Sequence, residues 1–228
     1  MAKKYLMNLL RKHWFDLGGL LALVVVTYLA TSFKVMTTQQ IILWLSLTSL
    51  FIHQLEEYRY PGYFPGMVNS AMYKSSQPDR YPLNAQTSLI VNVIMGWIVY
   101  LFAALFGDQF KWLGIATVLI SLGNFFAHTI LFNVKGKTWY NPGMITGIVL
   151  FLPIAIWYYD IILADSATRM TDWLIGLPLG MALNYLGIVK LIDWLANRNT
   201  TYIFENRQLR PIDRTPASKA NNSDINRF

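Results

Sequence analysis

The sequence predicts an all-α fold, a polytopic bundle of about six transmembrane helices whose N-terminus and C-terminus both lie in the cytoplasm. Two observations support this prediction. Hydrophobic residues make up 54% of the 228 residues and charged residues only 14%, whereas soluble domains carry about a quarter charged residues. The apolar residues also fall into six segments, each near the ~20 residues that a helix needs to cross the hydrocarbon core. We therefore expect an integral, multi-pass membrane protein.

These segments divide the chain into a basic N-terminal segment (1–13), a transmembrane domain (14–196) and a polar tail (197–228) that we expect to be disordered. A signal peptide is the alternative for the first apolar run, which is long for that role and lacks a clear cleavage site. The predicted spans cover about 14–33, 41–58, 88–106, 110–132, 144–162 and 173–196.

The orientation follows from Lys and Arg outside the spans, because cytoplasmic loops carry an excess of both residues. With the N-terminus in the cytoplasm, the opposite side holds only Lys34, Lys111 and Arg169, and the other cations outside the spans fall on the cytoplasmic side. This excess faces anionic headgroups, so membrane lipids are expected partners and nucleic acid is not. The cell (cytoplasmic) membrane is the expected location.

Ionisable side chains within the predicted spans are few, and a charge near the bilayer centre costs at least ~2.5 kcal/mol, so such residues usually belong to a functional site. His53, Glu56 and Glu57 end the second span, with both carboxylates one helical turn from the imidazole. His128 lies near the end of the fourth span, with Asn124 one turn before it. Because the two spans run in the same direction, we expect the two histidines to share one site at the cytoplasmic side.

Two imidazoles and two carboxylates suit one divalent metal ion, Zn²⁺ or Fe²⁺. His53, His128 and one glutamate would bind the ion and leave a position for water, with the other glutamate as general base, so Glu56 and Glu57 are both candidate ligands and candidate catalytic residues. The spacing differs from that of H-E-x-x-H and E-x-x-H pairs. The chain has no cysteine, which excludes thiolate ligands.

Simpler interpretations of the same residues stay open. The two glutamates can form a solvated helix end in which Arg59 pairs with Glu56. The two histidines can be independent residues, each hydrogen-bonded within the bundle. In "WYNPG", Tyr140 can lie at the headgroup level or donate a hydrogen bond to a carboxylate, and Pro142 fits the first turn of the fifth helix.

Three sequence elements occur in order: H-Q-L-E-E at 53–57, the histidine at 128, and Y-N-P-G at 140–143. In a multi-span chain this combination resembles the HXXEE family of small membrane proteins, which is defined by an HxxEE motif, a second histidine and a YxPG motif. The resemblance covers roughly 41–153. Y-F-P-G at 63–66 fits the YxPG pattern as well, and we favour the later copy because it follows the second histidine.

The resemblance implies that His53, Glu56, Glu57 and His128 belong together, and it implies no activity. It adds Tyr140, Pro142 and Gly143 as supporting residues, beside Asn124.

The leading hypothesis from the sequence is a metal-dependent membrane hydrolase or related lipid-modifying enzyme. It would act on a lipid-like or amphipathic substrate at the cytoplasmic leaflet. The first alternative is a proton-coupled transporter or permease that titrates Glu56 or Glu57, with Asn92, Asn124 and Asn184 as further polar residues in the bundle. The second alternative is a non-catalytic structural or assembly protein whose polar cluster locks helices together.

Overall fold

The computed structural model describes residues 2–214, and every regular element in that range is helical, as predicted. A short 3₁₀ helix, Phe33–Val35, follows the first helix of the chain. The short helix Phe64–Met67 is followed by a π-helical turn, Val68–Met72. The helices are α1 (Ala2–Ser32), α2 (Thr38–Tyr58), α3 (Phe64–Met67), α4 (Ala85–Phe106), α5 (Lys111–Gly136), α6 (Met144–Ala164) and α7 (Met170–Trp194).

Five of these helices, α1, α4, α5, α6 and α7, are long and apolar enough to cross a membrane. The protein is therefore a multi-pass, membrane-integral helical protein. The second predicted span, 41–58, is helical as α2 but is more polar than the other five. A sixth span and the cytoplasmic position of both termini stay predictions.

The central position of α2 explains its polarity. This helix packs against α1, α4, α5 and α6, and most of its residues are buried. Neighbouring helices shield it from lipid, so polar side chains such as Ser46, Ser49 and Gln54 can lie within the bundle. The helix begins with a capping box between Thr37 and Gln40, in which each side chain bonds the backbone amide of the other residue. A long helix that carries polar groups is thus held in the middle of the fold.

Small residues allow a close contact between α5 and α7. Gly176 and Gly180 lie one turn apart on α7, and a Cβ atom at either would lie 2.8 Å from α5: from the Ile115 side chain at Gly176 and from the Ala116 carbonyl at Gly180. Glycines with this spacing let two helix backbones approach closely within a membrane. The approach of α7 to α5 forms one wall of the cavity described below.

The C-terminal segment after α7 is ordered over 197–214, which we call the C-terminal strap. Phe204 and Leu209 are buried in a cluster with Trp14 and Tyr58. Arg207 donates hydrogen bonds to the carbonyls of Tyr58 (3.0 Å) and its neighbour at the C-terminal end of α2. A cation is favourable there because a helix ends in unpaired carbonyl groups.

The predicted disorder of the tail is therefore wrong for 197–214, because buried apolar side chains and hydrogen bonds to the end of α2 anchor this polar stretch. Residues 215–228, the remainder of the predicted tail, lie outside the described residues.

The contact between the strap and α3 gives a test by substitution. A Cβ atom at Gly66 would lie 2.6 Å from Leu209 Cα, and crowding of this kind typically costs about 1–3 kcal/mol. We expect Gly66→Ala to lower the melting temperature of the detergent-solubilised protein. Gly147→Ala is the matched control, because its Cβ would meet only Phe125 Cα, at 3.7 Å. Equal melting temperatures for the two variants would contradict the described packing of the strap.

Candidate metal centre

Three ionisable side chains from two helices meet in the interior of the protein. His53 and Glu57 lie one turn apart on α2, and His128 lies in a π-helical turn of α5, Ala127–Leu131. Their exposed fractions are 2% for His53, 5% for Glu57 and 0% for His128. Glu57 Oε1 lies 3.5 Å from His53 Nε2 and 3.2 Å from His128 Nε2. The structure thus brings the two predicted histidines together with one of the two predicted glutamates.

The tautomer of His53 follows from its contact with Thr146 in the first turn of α6. His53 Nδ1 lies 2.8 Å from Thr146 Oγ1. The Thr146 hydroxyl donates its proton to Glu56 Oε2 at 2.6 Å, with the Gly143 carbonyl as a second acceptor at 3.2 Å. Because both of these groups only accept, the hydroxyl must accept a hydrogen bond from His53 Nδ1–H. His53 Nε2 therefore carries a lone pair.

The tautomer of His128 follows in the same way from Asn141. The Asn141 Nδ2 group donates to the His128 carbonyl at 2.7 Å and to Asn133 Oδ1 at 2.8 Å, which uses both of its protons. Asn141 Oδ1 then accepts from His128 Nδ1 at 2.6 Å. His128 Nε2 therefore also carries a lone pair. In each histidine, the nitrogen with the lone pair is the one that faces Glu57.

This arrangement leaves three Lewis bases together without a bridging donor. Neither His53 Nε2 nor His128 Nε2 has a hydrogen-bond partner among the described residues. One ligand atom from each of His53, Glu57 and His128 lies within 4.8 Å of the other two. Two imidazoles and a carboxylate bind Zn²⁺ in catalytic sites and Fe²⁺ in facial-triad sites. The cluster can hold a cation: either a divalent metal ion or a proton that Glu57 shares with one imidazole.

Glu56 has a different role from its neighbour. Its carboxylate accepts four hydrogen bonds: from the Tyr140 hydroxyl (3.0 Å), the backbone amide of Ile145 (3.2 Å), and the backbone amide and hydroxyl of Thr146 (2.8 and 2.6 Å). The two amides are among those that a helix leaves unpaired at its N-terminus. A negative charge is also favourable at this end of a helix. Glu56 therefore caps α6 from another helix.

Two predictions about Glu56 are corrected by this geometry. Its oxygens are saturated by donors, so it is neither a free metal ligand nor a free general base. The solvated helix end is also wrong: Glu56 is 8% exposed, and Arg59 pairs with Asp16 at 3.3 Å rather than with Glu56. A carboxylate with four donors is stable inside the bundle because the donors replace water.

The later YxPG copy supplies two direct contacts to the site. Tyr140 donates to Glu56, which confirms the predicted bond to a carboxylate. Burial, and then the nearby Glu56 carboxylate, raises the pKa of Tyr140, so the phenol keeps the proton that it donates. Gly143 has a positive φ of 102°, and a Cβ there would lie 2.3 Å from His128 Cε1. Pro142 is buried between them.

The earlier copy, 63–66, is placed differently. Its Gly66 packs against the strap, and its Phe64 ring lies 4.9 Å from the His128 ring. The Tyr and Gly of the later copy therefore contact Glu56 and His128, whereas the Tyr and Gly of the earlier copy do not.

Sequence reasoning missed two residues that orient the histidines, Thr146 and Asn141. Asn141 fills the variable position of Y-N-P-G, where its proximity to the second motif histidine was an available signal. Thr146 has no motif that marks it. Asn124, predicted as a supporting residue, donates a hydrogen bond to the Ile120 carbonyl of its own helix and lines a cavity beside the cluster.

The cavity has a volume of about 580 Å³, and His53 and Glu57 lie in its wall. Side chains of α2, α4, α5 and α7 line it, and most of them are apolar. This volume is within the ~300–1,000 Å³ that is usual for small-molecule sites. The cluster therefore borders a space that can hold a ligand.

The fold and the cluster together define a multi-pass membrane protein with a buried His–Glu–His centre. The chain belongs to the family described as "Protein of unknown function with HXXEE motif", whose model matches residues 44–158. This range contains the three residues of the cluster, Glu56 and both YxPG copies. No curated protein matches the chain significantly, and no solved structure does.

The two adjacent glutamates are expected to respond oppositely to the same substitution in metal-free protein. Glu56→Gln replaces one acceptor oxygen with an NH₂ group, which cannot accept the hydrogen bonds that the neighbouring donors offer. Losing a hydrogen bond to a charged group costs about 2 kcal/mol of stability. We expect a clearly lower melting temperature. Glu57→Gln places an amide N–H beside imidazole lone pairs, so its melting temperature should be unchanged or higher. Equal destabilisation by the two variants would show that the assigned tautomers are wrong.

Proposed function

We propose that the protein binds one divalent metal ion, Zn²⁺ or Fe²⁺, and acts as a metal-dependent enzyme on a lipid-like substrate at the cytoplasmic leaflet. The ligands would be His53 Nε2, His128 Nε2 and the Glu57 carboxylate. One observation carries this proposal: a ligand atom from each of three buried side chains, two imidazoles and a carboxylate, lies within 4.8 Å of the other two.

The ligand count favours a catalytic centre over a structural one. Structural zinc sites usually have four protein ligands, whereas catalytic sites have three and keep a position for water or substrate. A metal ion held here would activate a bound water and polarise a substrate carbonyl or phosphoryl group.

The chain's own residues would supply orientation and exclusion of water. Thr146 and Asn141 fix the two imidazoles. Aromatic rings surround them: Phe151 lies 4.5 Å from the His53 ring, and Phe64 and Phe132 each lie 4.9 Å from the His128 ring. Because the Glu56 carboxylate is hydrogen-bonded to the start of α6, Glu57 is the glutamate that would bind the ion.

The placement in the membrane belongs to the same proposal. We propose that α2 crosses the bilayer as a sixth span, packed against four of the five apolar helices, with both termini in the cytoplasm. The distribution of Lys and Arg supports this orientation, and we propose the cell membrane as the location.

A proton-coupled transporter is the second candidate, and one observation favours it. Asn92, Asn124 and Asn184 line the same cavity as Glu57, which gives that cavity polar groups on three helices. Flux driven by a pH gradient in proteoliposomes, present in wild type and lost in Glu57→Gln, would favour the transporter over the enzyme.

Metal content gives the most direct check on the ligand set. We expect about one Zn²⁺ or Fe²⁺ per chain in wild type and close to none in His53→Ala/His128→Ala, because one carboxylate alone does not hold the ion. His13→Ala is the control, since His13 pairs with Asp16 in an exposed position. Elemental analysis of purified protein measures all three. Equal, near-zero content in wild type and the double variant would refute the metal proposal.

The orienting role of Thr146 leads to a separate prediction. Thr146→Val removes the acceptor of His53 Nδ1–H, and loss of such a partner typically weakens metal binding by about 10–100-fold. Thr129→Val is the matched control, because the Thr129 hydroxyl bonds the Phe125 carbonyl of its own helix. Competition with a chelator measures both affinities. Equal metal affinities in the two variants would show that Thr146 does not orient His53 for metal binding.

A further inference from the structure

We propose that the cavity binds one linear hydrocarbon chain of a membrane lipid, with the oxygen-bearing end of that lipid beside His53 and Glu57. This inference names the substrate class of the proposed enzyme and rests on the proposed function for its catalytic meaning. The binding of the chain itself depends on the cavity and not on the metal ion.

The walls of the cavity favour a hydrocarbon occupant. Apolar side chains from four helices form most of its lining, including Leu50, Val91, Met95, Ile120, Ile188 and Ile192. A cavity with apolar walls offers water too few hydrogen-bond partners to stay filled with it. Apolar ligands are bound in such spaces through the area that they bury.

Three polar side chains in the wall, Gln54, Asn92 and Tyr58, belong to one chain of hydrogen bonds that starts at Trp97. Trp97 Nε1 donates to Gln54 Oε1 at 2.7 Å, Gln54 Nε2 donates to Asn92 Oδ1 at 3.1 Å, and Asn92 Nδ2 donates to the Tyr58 hydroxyl at 3.2 Å. Asn124 and Asn184 donate to backbone carbonyls. The wall also holds His53, whose Nε2 makes no hydrogen bond of good geometry, and the Glu57 carboxylate 3.5 Å from it. The polar end of a ligand is therefore expected at His53 and Glu57.

The cavity reaches the outer surface of the bundle along α7. Tyr185 and Val189 line the cavity, yet they are 54% and 43% exposed. Because α7 is one of the five helices apolar enough to cross a membrane, this surface faces acyl chains in the bilayer. A lipid chain can thus enter sideways without leaving the membrane. A free fatty acid and the acyl chain of a phospholipid share the required chemistry.

Photo-crosslinking tests the proposal on the full chain in detergent or nanodiscs. Two probes are used in parallel: a fatty acid with a diazirine near the end of its chain, and a phosphatidylcholine with the same group on one acyl chain. Mass spectrometry then maps the labelled residues. We expect label on the cavity-facing side of α4 and α7. Labelling by the fatty acid alone would assign the site to free acids, and labelling by the phosphatidylcholine would assign it to intact lipids.

Two variants fill the cavity. Gly96→Leu extends a side chain from a position where a Cβ would meet Gln54 and Leu50 atoms at an ordinary 3.6 Å, and Ala127→Leu does so from α5. We expect each to lower cavity labelling by roughly tenfold, because added carbons crowd a filled space. Ala164→Leu, at an exposed position at the end of α6, should label like wild type.

The outcomes separate the lipid from the metal. Gly96→Leu should keep the metal content of wild type, which also shows that it is folded, and His53→Ala/His128→Ala should lose the metal but keep the cavity label. The proposal is overturned if the label is found only on the outer surface of the bundle. It is also overturned if both cavity-filling variants are labelled in the cavity as strongly as wild type, whether or not the protein binds a metal ion. An absent metal with cavity label intact would leave the lipid site standing and refute the metal alone.

Discussion

The Glu56 carboxylate at the start of α6 is the interaction on which the rest of the site depends. This carboxylate on α2 accepts hydrogen bonds from two backbone amides and two hydroxyl groups of the segment that begins α6. These bonds fix the position of that segment against α2. Thr146 then lies beside His53, and Gly143 lies against the His128 ring. Because Gly143 has no side chain and takes a positive φ, the chain can turn there without displacing the imidazole. One buried charge thus positions the residues that orient the two histidines.

This arrangement assigns opposite tasks to two adjacent carboxylates. Glu56 is surrounded by hydrogen-bond donors and caps α6, whereas Glu57 faces the Nε2 atoms of two histidines, where a cation can bind. A buried carboxylate beside two unprotonated nitrogens is unfavourable unless a proton or a metal ion lies between them. The stability of the Glu56 network offsets that cost, so the fold holds three Lewis bases close together within a membrane-integral bundle. Strained local chemistry of this kind is characteristic of functional sites.

The sequence predicted much of the fold and part of the site. Apolar segments revealed the helices because a lipid-facing helix must be apolar along its length. The proximity of His53 and His128 was predicted from the lengths and directions of their spans, and the two rings lie 4.9 Å apart. The separate roles of Glu56 and Glu57 did not follow, because both are one turn from His53 and only the position of α6 distinguishes them. Thr146 was invisible because its contact is made across the bundle. The strap was missed because Phe204 and Leu209 are two apolar residues in a polar stretch.

The central claim is that His53, Glu57 and His128 hold one divalent metal ion through two imidazole Nε2 atoms and a carboxylate. X-ray absorption at the zinc edge of zinc-loaded protein tests it most directly. The account predicts two imidazole nitrogens and carboxylate oxygen at about 2.0–2.2 Å from the ion, with the imidazole scattering absent in His53→Ala/His128→Ala. A shell of oxygen ligands alone, or an unchanged spectrum in that variant, would contradict it.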